Sequence, residues 1–263
     1  MFAPDRRRRD RLDGASSPCR TPDDGPTSVS LRVLGVALAR GGSKGIPRKN
    51  IALLAGKPLL AYTAIAALNA RRLSRVILST EDEEIAAVGR QFGLDVPFMR
   101  PSDLARDDTP AVAVIEHAVC ELERRGDRFD AVFILQPTNP LRRPEDIDGA
   151  IELLEQTGAD SVISFVEVGD AHPARMKYID ADGRAVDPPF AEASEGQRRQ
   201  DLPRLYLRDG SVYVTRRDVL VNHRSLKGRD CRAWLMPRDR ACNIDEPTDW
   251  IIAEALVQHH RLV

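Results

Sequence analysis

Residues 39–50 read ARGGSKGIPRKN, and they hold the densest concentration of chemistry in the chain. Four cations, Arg40, Lys44, Arg48 and Lys49, fall among three glycines, Gly41, Gly42 and Gly45. Glycine lets the main chain approach a ligand and turn its N–H groups toward it. Arginine adds a planar fork for phosphate oxygens, and lysine a mobile point charge. Together they predict a pocket for a polyphosphate. Ile46 follows Gly45, so the G-x-x-x-x-G-K-[ST] pattern fails, and no G-x-G-x-x-G fingerprint follows the preceding apolar run. P-loop NTPases and dinucleotide oxidoreductases are set aside on that ground.

Such a loop needs a strand to deliver it. LRVLGVALA, residues 31–39, is a continuous apolar run of the kind found in strands buried on both faces of a parallel sheet. Further strands are expected at 75–80, 96–100, 131–136, 161–168, 211–215 and 233–237. Helices are expected from Pro58, at 82–93, at 109–125 with Thr109 as N-cap, at 144–156 and from Pro247 to about His260. Alternating strands and helices imply βαβ units, hence an α/β fold with a mostly parallel, doubly wound, Rossmann-like sheet. In such a sheet the ligand sits beyond the carboxyl ends of the strands. Residues 169–205, rich in Pro, Gly, Asp and Arg, look like an insertion that leaves the sheet.

Composition agrees with one large domain. The chain has 263 residues, 42% hydrophobic and 30% charged, with a net charge of −1. Disordered, collagenous and coiled-coil classes are excluded, and no global field draws in a polyanion. No run approaches the roughly 20 apolar residues that span a bilayer. Cys19, Cys120, Cys231 and Cys242 form no C-x-x-C pair, which suits reduced thiols in the cytoplasm. Residues 1–30 are expected to be a disordered Arg/Pro-rich tail. Arg6 to Arg9 and Arg11 could address nucleic acid, but a dispensable tail is the preferred reading, and nucleic acid is not an expected partner.

Five further strings follow in order: STEDEEIA (79–86), RPSDLARDDTP (100–110), LQPTNPLR (135–142), RRQDLPRLYLRDGSVYV (198–214) and NIDEPTDW (243–250). With the glycine loop they resemble the acylneuraminate cytidylyltransferases, a family that includes enzymes activating legionaminic and pseudaminic acids. The resemblance spans nearly everything after residue 31 and implies the nucleotide-diphospho-sugar transferase type of sheet. It implies transfer of CMP from CTP to the anomeric hydroxyl of a nonulosonic acid, with magnesium and release of pyrophosphate. By similarity Arg40, Gly41, Gly42, Ser43, Lys44, Lys49 and Asn50 hold the triphosphate, and Arg100 and Asp107, in the RPSDLARDD loop, lie along the cytidine. Gln136, Arg199 and Tyr213 face the sugar acid, Arg199 as the fork for its carboxylate. Residues 169–205 resemble a dimerisation subdomain that reaches over a partner's site, so a homodimer is implied.

Arg40, Lys44 and Asp245 are the expected catalytic residues. The family's D-x-D metal pair is here Asn243 and Asp245, so the magnesium site loses one negative charge. Asp249 is expected to be structural. Glu81 stands where relatives often have Asp, Asp209 and Gly210 replace an N-G turn, and Ser225 and Leu226 stand where some sialic acid enzymes carry an aromatic pair. The acceptor is therefore left open between sialic, legionaminic and pseudaminic acids, with a Kdo-like acid or a phosphonate as alternatives. Asn243 also motivates a second reading, a catalytically weakened nucleotide-binding relative.

Overall fold

A computed structural model describes residues 30–194 and 196–262; the expected tail, with its arginines and Cys19, lies outside the described residues apart from Ser30. Strand β1 (Val33–Leu38) leads into the glycine loop and a ribbon of β2 (Leu53–Leu54) and β3 (Lys57–Pro58). Helix α1 (Leu59–Asn69), β4 (Leu73–Ser79), α2 (Glu83–Gln91), α3 (Ala111–Arg124) and β5 (Ala131–Leu135) follow. The second half holds α4 (Pro144–Thr157), β6 (Ser161–Glu167), a second ribbon of β7 (Tyr178–Ile179) and β8 (Ala185–Val186), β9 (Tyr206–Arg216), α5 (Arg217–Asn222), β10 (Cys231–Leu235) and α6 (Pro247–His259).

One six-stranded sheet runs β10-β6-β9-β5-β1-β4. The β1–β4, β1–β5 and β10–β6 pairs are parallel, and β9 alone runs antiparallel to both its neighbours. The expected mostly parallel α/β sheet is therefore present. Val33 and Ala37 of β1 pack with Leu60, Leu78, Phe133 and Ile151 on one face, while Leu34 and Val36 pack with Ile115, Val119, Leu122 and Ile134 on the other. Helices α1 and α4 cover the first face, and α3 and α5 the second. Burial on both faces explains why the strand reads as an unbroken apolar run, each fully buried large side chain contributing about 1.5–3 kcal/mol. A third apolar cluster joins α6 to α1 and the first ribbon through Leu54, Leu59, Tyr62, Ile244, Ala253 and Val257.

Several expectations change. Residues 96–100 form no strand; Asp95 makes a single bridge to Ile77, and Pro97 removes the donor that a ladder needs. Pro110, not Thr109, occupies the N-cap of α3, and the Thr109 hydroxyl donates to the Asp103 carbonyl at 3.4 Å. Strand β9 is longer than expected because the Asp209–Gly210 pair forms a bulge within it rather than a turn. Gly210 has φ +85°, and the register against β6 shifts there. The two ribbons and α5 are too short to leave a periodic signal. Between β6 and β9 the chain leaves the sheet through a 3₁₀ turn (Pro173–Arg175), the β7–β8 ribbon and a second turn (Arg199–Asp201). Among the described residues, no helix is long and apolar enough to cross a membrane.

Candidate active site

After β4 the chain crosses back to the other side of β1 to form β5, so β1 lies at a topological switch point. Beyond the carboxyl ends of β1 and β5 lies a cleft of about 570 Å³. Its walls include Arg40, Ser43, Lys44, Lys49 and Asn50 from the glycine loop and Arg100, Arg106 and Asp107 from the following loop. Gln136 and Thr138 after β5, and Asn243 and Asp245 before α6, complete them. Leu38, Leu104 and Val114 supply apolar surface. Strings more than a hundred residues apart in sequence thus meet in one hollow.

The glycine loop is held from behind. Asn50 is buried, and its amide donates to the Arg40 carbonyl at 2.9 Å. The Gly41 N–H donates to Glu81 Oε1 at 2.8 Å, so it does not point to a ligand as expected. A methyl group on Gly41 would meet Asp82 at 2.5 Å, and one on Gly45 the Asp245 carbonyl oxygen at 2.3 Å; Gly42 faces open space. Two of the three glycines therefore make room for other parts of the protein. Arg48 differs from the other three cations. It pairs with Asp82 and Glu84 and does not line the cleft. The Arg48 guanidinium holds the Asp82 carboxyl below the usual range, and Asp82 also caps α2 by accepting the Glu84 and Ile85 N–H groups.

Arg40 and Lys44 do face the cleft, and one carboxylate spans them. Asp107 lies 2.8 Å from Arg40 Nη1 and 2.6 Å from Lys44 Nζ. Lys44 first, then Arg40, holds the Asp107 carboxyl below its ordinary range. Asp107 thus sits where the loop's cations converge, acting as an anion of the protein's own and not as a group that attracts phosphate.

Residues 243–245 form a strap across the cleft, fixed by the Ile244 N–H donating to the Thr138 carbonyl at 2.9 Å. Lys49 reaches this strap, donating to the Ile244 carbonyl at 2.6 Å and lying 3.3 Å from Asp245 Oδ1. The Asn243 amide nitrogen donates to Asp245 Oδ2. Asp249 accepts the Glu246 and Asp245 N–H groups, which hold its carboxyl low, and with Glu246 forms the capping box of α6. Asp249 is a structural residue. Among the described residues no group of three or more His, Cys, Asp or Glu could hold a metal. What the strap offers is one exposed carboxylate beside one amide, opening on the cleft. That oxygen set fits magnesium, which uses one or two carboxylates and takes its other ligands from phosphate and water.

Gln136 reaches the cleft from a turn that is tightly organised. Arg142 is fully buried and donates to the Gln136 carbonyl at 3.0 Å, the Ser211 carbonyl at 2.9 Å and the Thr63 hydroxyl at 2.9 Å. Burial pushes its guanidinium down to about 10, so it remains a cation at neutral pH. The Asn139 amide is flanked by the Cys242 and Asp209 carbonyls, at 3.2 and 3.0 Å, which assigns its nitrogen to that side. A side chain at Gly210 would meet Gln136 Oε1 at 3.0 Å.

Two expected sugar-site residues lie elsewhere. Tyr213 is buried in the core with Ile163 and Leu220 and does not line the cleft, because β9 is a central strand whose alternate side chains enter the two cores, Val212 and Val214 on one face and Tyr213 on the other. Arg199 lines a separate hollow of about 470 Å³ with Glu167, His172 and Arg204, and lies 3.4 Å from Asp170. Ser225 and Leu226 are also remote from the cleft. Ser225 borders a cavity beside Asp160 and Asp218, and the Leu226 carbonyl accepts the Thr215 hydroxyl. The absence of aromatics there therefore says nothing about an acyl pocket in this cleft. Arg106 and Thr138 line the cleft without having been singled out; both stand inside strings already recognised, which was the available signal.

Comparison with known proteins covers nearly the same span. A family model described as cytidylyltransferase matches residues 34–221. The CMP-N,N'-diacetyllegionaminic acid synthase of Legionella pneumophila is 33% identical over 229 residues, 87% of this chain and 97% of that protein. The pseudaminic acid cytidylyltransferase of Campylobacter jejuni is 30% identical over 227 residues, 86% and 96% of the two chains. Among solved structures, a CMP:2-keto-3-deoxy-manno-octonic acid synthetase complexed with CTP superposes with a TM-score of 0.65 at 18% identity. It covers 87% of this chain and 99% of its own, a likeness of fold.

Proposed function

The chain belongs to the cytidylyltransferase family, and on that premise we propose that it transfers CMP from CTP to the anomeric hydroxyl of a nonulosonic acid, releasing pyrophosphate. The observation that carries the reading is Arg40 and Lys44 converging on a cleft at the switch point of the sheet, in a chain aligned with such enzymes along nearly its whole length. Relatives acting on legionaminic and pseudaminic acids support a nine-carbon keto-acid as acceptor over the Kdo-like or phosphonate alternatives.

The reaction forms a bond from the anomeric oxygen to the α-phosphorus as the bond to the leaving pyrophosphate breaks. It demands positioning and neutralisation of charge more than covalent help. Arg40 and Lys44 take the phosphate oxygens, Lys49 ties the loop to the strap, and Gln136 stands at the acceptor's end of the cleft. Asp245, with Asn243 beside it on the strap, would hold magnesium, which when bound neutralises charge on the triphosphate. Incoming triphosphate must displace Asp107 from the two cations. Asp107→Asn is therefore expected to lower the KM for CTP about threefold with kcat little changed, read from initial rates at fixed ionic strength. An unchanged or raised KM would mean that Asp107 helps to hold the nucleotide.

A homodimer belongs to the same reading. Met176, Tyr178, Ile179, Val186 and Phe190 of the insertion are exposed apolar side chains, and Arg199 stands in a hollow of its own. Both features suit a segment that completes a partner's sugar site. Free thiols at Cys120, Cys231 and Cys242 support a reducing compartment, the cytoplasm. The decisive experiment incubates purified protein with CTP, magnesium and each of several nonulosonic acids and follows pyrophosphate. Release is expected only when a suitable acid is present. Silence with every acid, together with CTP binding by calorimetry, would favour the weakened relative, and Asn243→Asp would then be expected to restore turnover.

A further inference from the structure

Glu81 does not line the cleft, yet both of its carboxylate oxygens hold groups that shape it. Oε1 accepts the N–H of Gly41, the residue after Arg40. Oε2 pairs with Arg100 Nη2, and the same nitrogen lies 3.2 Å from the Ala39 carbonyl. Arg100 is 6% exposed, and its side chain lines the cleft on the side of the 100–110 loop. Desolvating a cation so deeply placed costs several kcal/mol, and a close counter-charge offsets that cost. Glu81 is the carboxylate paired with it. Asp82, next in the chain, grips Arg48 at the far end of the same glycine loop.

We propose that Glu81 is a positioning residue that fixes the phosphate loop and Arg100 relative to each other, so that the two ends of a pyrimidine nucleotide are bound as one unit. The inference rests on the nucleotide reading of the cleft. A single carboxylate serves two loops because one oxygen takes a main-chain N–H and the other a guanidinium. An aspartate, one methylene shorter, reaches both only if β1 and β4 ends draw together, whereas glutamate spans them as they stand. A glutamine keeps an acceptor for Gly41 but removes the charge that Arg100 faces.

Two probes separate the two ends: CMP, which carries the base and one phosphate, and inorganic tripolyphosphate, which carries only the anionic tail. Calorimetry on the full chain is expected to show Glu81→Gln weakening both by about tenfold, with Glu81→Asp intermediate. In the reaction the KM for CTP should rise about tenfold while kcat stays within threefold, a split that a general loss of fold would not give. If E81Q fails to fold, E81D carries the test with the same direction in both probes. Weakening of one probe with the other unchanged, or no change in either, overturns the coupling while leaving the nucleotide reading intact. A wild-type chain that binds neither probe overturns that reading and this inference with it.

Discussion

Asp245→Asn should reduce turnover at saturating CTP by about a hundredfold or more, the range found when a group stabilising transition-state charge is removed. The side chain is two-thirds exposed, and its ion-pair partner is Lys49 at 3.3 Å, so the folded state should be unaffected and the melting temperature unchanged within error. With Asn243 beside it, the variant strap would carry two amides and no carboxylate, and magnesium affinity depends on ligand charge. The magnesium concentration for half-maximal rate should therefore rise together with the loss in kcat. Asn243→Asp should move it the other way. Steady-state rates across a magnesium titration check both variants. Full activity in Asp245→Asn would place the cation elsewhere, and a fall in melting temperature would make Asp245 structural.

The largest loss of stability is expected at Arg142. Arg142→Met keeps much of the volume but leaves the Gln136 and Ser211 carbonyls and the Thr63 hydroxyl without the donor they share. The Gln136 carbonyl keeps longer bonds from the Asn139 N–H and the Thr63 hydroxyl, both at 3.4 Å, so the cost lies in losing three good hydrogen bonds from a buried guanidinium. Each is worth about 1–3 kcal/mol less what rearrangement recovers, and a total of about 3–5 kcal/mol is expected. For a chain of this size that is roughly 6–20 °C in Tm. Arg142→Lys should recover part of it, because an ammonium reaches some of these acceptors but cannot fork across three elements. Urea denaturation followed by circular dichroism measures both. A loss below about 1 kcal/mol for Arg142→Met would show that the turn at Gln136 is held by Asn139 and the strand ends alone. Since this turn presents Gln136 to the cleft, the surviving folded fraction should also show a raised KM for the acceptor acid.

These two sites differ in how visible they are in the sequence. Asp245 could be named from the resemblance of its string to the family's D-x-D, since two such positions on extended chain face the same side. Arg142 was inside LQPTNPLR, but nothing local distinguishes a buried cation from a solvated one. Its partners come from α1, the end of β5 and β9, residues up to 79 positions away. The same holds for the four loop cations. Their spacing marked them as one set, yet Arg48 is held by Asp82 and Glu84, while Arg40 and Lys44 share Asp107.

The long strands and helices, the class of fold and the place of the glycine loop were determined by the sequence alone, because burial on both faces of a parallel sheet writes itself into short continuous apolar runs. The two ribbons, α5 and the missing strand at 96–100 were not. Tertiary structure alone decided which side chains reach the cleft. Gly45 must be bare because the Asp245 carbonyl, two hundred residues later, passes against it. Tyr213 turns into the core because β9 lies between β6 and β5 in a sheet buried on both faces, with Val212 and Val214 packed on one side and Tyr213 on the other. Arg199 stands in another hollow because the insertion leaves the sheet. Periodicity is a local property of the chain, whereas ion pairing and close main-chain approach depend on residues that only folding brings together.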